Sequence, residues 1–202
     1  MSREVGTPHG PARVHVHVAV DPVGALVLGH GAGGGVGAPD LVAVVAAALA
    51  AHVTVVTVDQ PYRVAGRRAP APARQLDAAW EAVLADLVAA ELAGLPVVVG
   101  GRSSGGRVAC RTVAQVGAVA VLCLAFPLVP PRAPKPTSRA AELDAVTVPV
   151  LVVQGARDRF GRPEAAPGRE LVLVPGDHSL HTDPASVADA VAAWLPGALS
   201  RG

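Results

Sequence analysis

Apolar positions along the chain fall into two alternating kinds of run. Short Val- and Leu-rich runs are separated by longer stretches in which apolar residues recur every three or four positions. Residues 14–20 alternate with His15 and His17, which predicts a half-exposed edge strand. Residues 25–28 form a short apolar run that ends at Gly29. Residues 53–58 are continuous and β-branched, as a strand covered on both faces should be. Residues 96–99 predict another buried strand, running into Gly100 and Gly101. Further strands are expected over 118–124, 148–153 and 171–174.

The intervening stretches read as helices. Residues 39–51 are long and Ala-rich, and 108–116 follow the same reading. Leu76, Trp80, Val83, Leu84, Leu87 and Val88 lie on one face of an amphipathic helix. In the last helix, Asp183 is the expected N-cap and Pro184 the first helical residue. Val187, Val191, Trp194 and Leu195 make its buried stripe, and Pro196 is expected to end it. Strands alternating with helices imply an α/β fold, a mostly parallel central sheet with helices on both faces. In such sheets, functional residues collect beyond the carboxyl ends of the strands.

Composition narrows the picture without redirecting it. The 202 residues fit a single domain, with residues 1–12 expected as a poorly ordered tail. Hydrophobic residues are 51% of the chain and aromatics 2%, so core and pocket must be built mainly from aliphatic side chains. A formal charge of +1 with no long run of one sign offers no footprint for nucleic acid. Apolar runs break well before the ~18 residues a membrane span needs, and the N-terminus lacks an apolar leader, so a cytoplasmic protein without membrane contact is expected. Cys110 and Cys123 sit in apolar stretches and read as buried free thiols.

The turn after residues 96–99 carries the candidate chemistry. It reads Gly100-Gly101-Arg102-Ser103-Ser104-Gly105-Gly106 and leads into a helix. A serine on a tight strand-to-helix turn, with glycines two positions before and after it, is presented away from the sheet toward a base on another loop. Ser103 meets that spacing. Its rival Ser104 does not, because Arg102 stands two residues before it. The plainer alternative is a phosphate loop, but the Gly-Lys-Ser/Thr ending of such loops is missing.

Two later strand ends supply partners. Residues 154–158 read Gln-Gly-Ala-Arg-Asp and residues 175–178 read Pro-Gly-Asp-His. Ser103, Asp158 and His178 thus follow one another in the order nucleophile, acid, base. His178 would take the serine proton, and Asp158 would hold its tautomer. Asp177 and His181 are the nearest rivals for these places. The glycine-rich run at 29–34 follows an early strand and can turn a backbone N–H inward. Ala32 together with Ser104 is the expected oxyanion hole. Gly31 and Tyr62 are expected at the substrate pocket, although Tyr62 could equally pack in the core. His15 and His17 share a strand face without a third ligand, so no metal and no cofactor is expected.

Together, Gly-His-Gly-Ala-Gly-Gly at 29–34, Gly-Gly-Arg-Ser-Ser-Gly-Gly-Arg at 100–107, Gln-Gly-Ala-Arg-Asp-Arg-Phe-Gly at 154–161 and Asp-His-Ser-Leu at 177–180 resemble the small dienelactone-hydrolase-like α/β-hydrolases. The Pro-Tyr pair at 61–62 resembles a segment of the same family. The resemblance implies a compact α/β-hydrolase fold and a serine hydrolase acting on small ester or thioester substrates. True dienelactone hydrolases carry cysteine where this chain has Ser103. Scaffold subunits within the family keep a non-catalytic binding module open as an alternative, and an acyltransferase or perhydrolase could use the same triad. Residues 126–137 hold five prolines in twelve positions, too short a stretch for a lid domain, which implies an open site for small molecules. Arg132 and Lys135 on that loop, with Arg63 on another, would favour acidic substrates unless they are merely exposed.

Overall fold

The computed structural model describes residues 1–130 and 137–200. One eight-stranded sheet runs through it. Its strands are β1 (Ser2–Val5), β2 (Ala12–His17), β3 (Gly24–Gly29), β4 (Val53–Asp59), β5 (Val97–Arg102), β6 (Ala120–Leu124), β7 (Val150–Gly155) and β8 (Arg169–Val174). Their order is β1-β2-β4-β3-β5-β6-β7-β8. The first two pairings, β1 with β2 and β2 with β4, are antiparallel, and the rest are parallel.

The helices are α1 (Pro39–Ala50), α2 (Pro61–Val64), α3 (Ala73–Ala89), α4 (Ser104–Val116), α5 (Ala140–Asp144) and α6 (Pro184–Leu199). On one face of the sheet, Leu41, Val44 and Ala48 of α1 and Val187, Val191 and Leu195 of α6 bury Leu26, Leu122 and Leu151. On the other, Trp80, Val83 and Leu87 of α3 and Val108 and Val113 of α4 cover Val27, Val99 and Val121. Strands β3, β5, β6 and β7 are therefore buried on both sides, which is why their sequences run apolar without alternation. Cys110 and Cys123 are buried free thiols, as expected.

Three sequence expectations change. Residues 1–12 are not a loose tail: β1 pairs with β2 from Ser2↔His15 to Val5↔Ala12. Arg3 reinforces it with a bidentate contact to Glu91, at 2.7 and 2.8 Å, and a further contact to Asp86. The pairing uses backbone groups, which leave no hydrophobic pattern to read. In consequence β2 is not the edge strand. It alternates buried Ala12, Val14 and Val16 with outward residues because one face, not one edge, meets solvent. On that outward face His15 Nε2 lies 3.1 Å from Asp59 Oδ2.

Third, Pro196 lies inside α6 instead of ending it. Proline forfeits one helical hydrogen bond. The following turn persists because Ala198 and Leu199 are buried, and Leu199 fills the space beside Gly24, where a Cβ would sit 2.5 Å from Leu199 Cδ2. The start of α6 is as read from sequence, with Asp183 accepting from Ser186 N at 3.1 Å. Among the described residues, no helix is long and apolar enough to cross a membrane.

Candidate active site

The site forms where β3, β5, β7 and β8 end on the same side of the sheet. Ser103 sits between β5 and α4 at φ 52° and ψ −105°, a conformation costly for a non-glycine residue, roughly 1–3 kcal/mol. Its N–H donates to Leu124 O at 2.8 Å, and its carbonyl accepts from Arg107 N at 3.3 Å, so the turn is pinned from both sides.

The flanking glycines have a specific reason. A Cβ on Gly101 would lie 2.3 Å from Gly29 O, and one on Gly105 2.4 Å from the same oxygen. The elbow and the end of β3 are therefore in backbone contact. Gly105→Ala must push them apart. We expect a loss of about 1–3 kcal/mol of stability, read from the urea midpoint at unchanged slope.

His178 joins the serine to the acid. Its Nε2 is 2.9 Å from Ser103 Oγ, and its Nδ1 is 2.7 Å from Asp158 Oδ2. Gly155 makes this meeting possible, since a Cβ there would lie 2.2 Å from Asp177 O. The loops after β7 and β8 thus pack backbone to backbone, and Arg157 N donates to Gly176 O at 2.9 Å. Leu180, fully buried, anchors the histidine loop in the core. The rivals face elsewhere: Asp177 Oδ1 accepts from the backbone N–H and hydroxyl of Ser179, and His181 contacts that same hydroxyl.

The Asp158 side chain is fully covered and its acceptors are filled. Oδ1 accepts from Phe160 N at 2.8 Å, and Oδ2 accepts from Gln154 Nε2 at 2.8 Å as well as from His178. Phe160 packs edge-on against the imidazole, ring centroids 4.5 Å apart. Gln154 was not among the residues expected at the site. Its signal was a lone polar side chain at the end of the apolar strand β7.

The glycine-rich loop after β3 is held from behind. His30 is buried, with Nδ1 2.8 Å from Gly31 O and Nε2 3.1 Å from Gln60 N. Because Gln60 N–H can only donate, the imidazole is neutral with its proton on Nδ1, and burial pushes its pKa down in agreement. Carbonyl and N–H of a trans peptide point in opposite directions, so the Ala32 N–H turns away from this buried ring. Tyr62 donates its hydroxyl to Ala32 O at 3.0 Å, and burial raises its pKa to about 12. Tyr62 is thus a buried support of the loop and does not line the cavity.

That cavity measures about 470 Å³. Ser103 and His178 open onto it, with Gly31, Ala32, Ser104 and Phe160 around them. Ser104 heads α4, so its N–H has no partner within the helix. Ala32, Ser104 and Ser103 thus come together at this cavity, with Gly31 beside them. Arg107 and Arg139 line another wall, whereas Arg63 is not among the lining residues. Arg132 and Lys135 lie outside the described residues.

The family model of the alpha/beta hydrolase domain matches residues 22–194. No curated protein matches the sequence. Several solved structures share the fold. An alpha-beta serine hydrolase homologue from Coxiella burnetii superposes with a TM-score of 0.77 at 14% identity, covering 96% of this chain and 97% of its own. A serine hydrolase without a lid from Xanthomonas campestris gives 0.71 at 20% identity, covering 97% and 95%. Dienelactone hydrolase from Anabaena variabilis gives 0.75 at 18% identity, covering 98% and 97%.

Proposed function

This chain belongs to the alpha/beta hydrolase domain family, and on that premise we propose that it hydrolyses small esters or thioesters through an acyl intermediate on Ser103. The observation that carries the reading is the unbroken contact from Ser103 Oγ through His178 to Asp158, at 2.9 and 2.7 Å, opening onto a cavity.

His178 Nε2 takes the hydroxyl proton as Ser103 Oγ attacks the substrate carbonyl carbon. The resulting imidazolium keeps its Nδ1 proton on Asp158. Negative charge on the tetrahedral oxygen is met by the N–H groups of Ser104 and Ala32, fixed beforehand by the helix start and by His30. The intermediate collapses, the carbon–leaving-group bond breaks, and His178 returns the proton to the leaving group. A water molecule, deprotonated by the same nitrogen, then releases the acid and restores the serine.

Reaction with a fluorophosphonate and turnover of short p-nitrophenyl esters test this. Stoichiometric labelling with measurable turnover supports it. A pure, folded chain that does neither leaves the non-catalytic binding module as the reading. The loop support makes a second prediction. Tyr62→Phe frees Ala32 O and should lower kcat about 3- to 10-fold with little change in KM, as suits a hydrogen bond worth roughly 1 kcal/mol. An unchanged kcat would separate Tyr62 from the oxyanion loop.

A further inference from the structure

We infer that Arg102, anchored by Asp40, is a positioning residue that sets the His178 loop against the oxyanion loop; this rests on the serine hydrolase reading above. Arg102 ends β5, immediately before Ser103. Its guanidinium reaches three other parts of the site. Nη2 donates to His178 O at 3.2 Å. Nη1 lies 3.3 Å from the point a Cβ on Gly31 would occupy, so glycine at that position makes room for it. Nε stands 3.2 Å from Asp40 Oδ2, at the start of α1.

Asp40 is an unusual anchor. Its side chain is 0% exposed, and neither its carboxylate oxygens nor Arg102 Nε makes a well-formed hydrogen bond, so the two meet as an ion pair. Burial holds its carboxyl above the ordinary range, against the opposing pull of the Arg102 guanidinium and of the backbone N–H groups at the start of α1. A buried carboxylate facing one cation holds that cation in place, because losing it leaves an uncompensated charge. A planar fork with donors in fixed directions can then hold the histidine backbone against the elbow, with the glycine loop packed close beside it. Lysine, a single point charge, cannot face the carboxylate and reach the histidine carbonyl in the same geometry.

The test is kcat and KM, resolved separately, for a short p-nitrophenyl ester on the full chain carrying Arg102→Gln, Asp40→Asn, both, or Arg102→Lys. Arg102→Gln should lower kcat roughly 10- to 100-fold, the scale of a small misplacement of reacting groups, with KM held within about twofold. Asp40→Asn should lower kcat in the same way, and the double variant should lose little more than Arg102→Gln alone, because the two side chains act as one unit. Arg102→Lys should also lose kcat at nearly unchanged KM, which keeps the idea testable if Arg102→Gln fails to fold. Wild-type kcat in Arg102→Gln or Arg102→Lys, or single-variant losses that add in full in the double variant, would overturn the inference alone. An unsubstituted chain that neither labels nor turns over ester overturns it together with the hydrolase reading.

Discussion

Ser103→Ala is expected to abolish fluorophosphonate labelling and to lower ester turnover by about 10⁴- to 10⁶-fold, the range found when the nucleophile of a comparable triad is removed. The loss should be that large because no neighbour can take over. Ser104 begins α4, and the His178 Nε2 contact goes to Ser103 Oγ. Alanine meets the same backbone demand at φ 52° as serine does, and the bond from position 103 N to Leu124 O is untouched. Thermal melting should therefore stay close to wild type, so that the lost activity reports chemistry and not unfolding. Labelling that persists in this variant would move the nucleophile elsewhere.

Asp158→Asn should lower kcat by about 10⁴-fold with KM nearly intact, at some cost in stability because the new NH₂ also faces the donor Gln154 Nε2. The reason lies in how completely the carboxylate is used. Oδ1 accepts from Phe160 N, and Oδ2 accepts from both Gln154 and His178. An asparagine has only one oxygen. With that oxygen toward Phe160 N, its NH₂ faces His178 Nδ1 and forces the proton onto Nε2. The nitrogen that should accept from Ser103 then carries a hydrogen of its own. The opposite flip sets two N–H groups against each other at Phe160. Raising the pH should not restore activity, because the fault is in the tautomer and not in the charge. Recovery of wild-type kcat at alkaline pH would argue against this account.

Much of the site is legible in the sequence. Ser103, Asp158 and His178 each come a few residues after an apolar run and lie two or three positions from a glycine, and their order along the chain is that of this fold. Those glycines prove to be contact points: Gly101 and Gly105 against Gly29 O, and Gly155 against Asp177 O. Tyr62 was legible only as a choice between pocket and core. Its place behind Ala32 depends on α2, a single turn too short to show a period. Gln154 and Asp40 were visible only as isolated polar residues in apolar surroundings.

The alternation of strand and helix, the elbow and the three residues around it were thus determined by the sequence itself. Each depends on local periodicity or on a residue type that a turn demands. Tertiary structure alone decided the rest. It gave β1 a partner through backbone bonds, carried α6 through Pro196 because Ala198 and Leu199 are buried, and brought Arg102 between Asp40, Gly31 and His178. These arrangements join residues far apart in the chain. Their energy comes from burial and from paired charges, which exist only once the sheet has assembled.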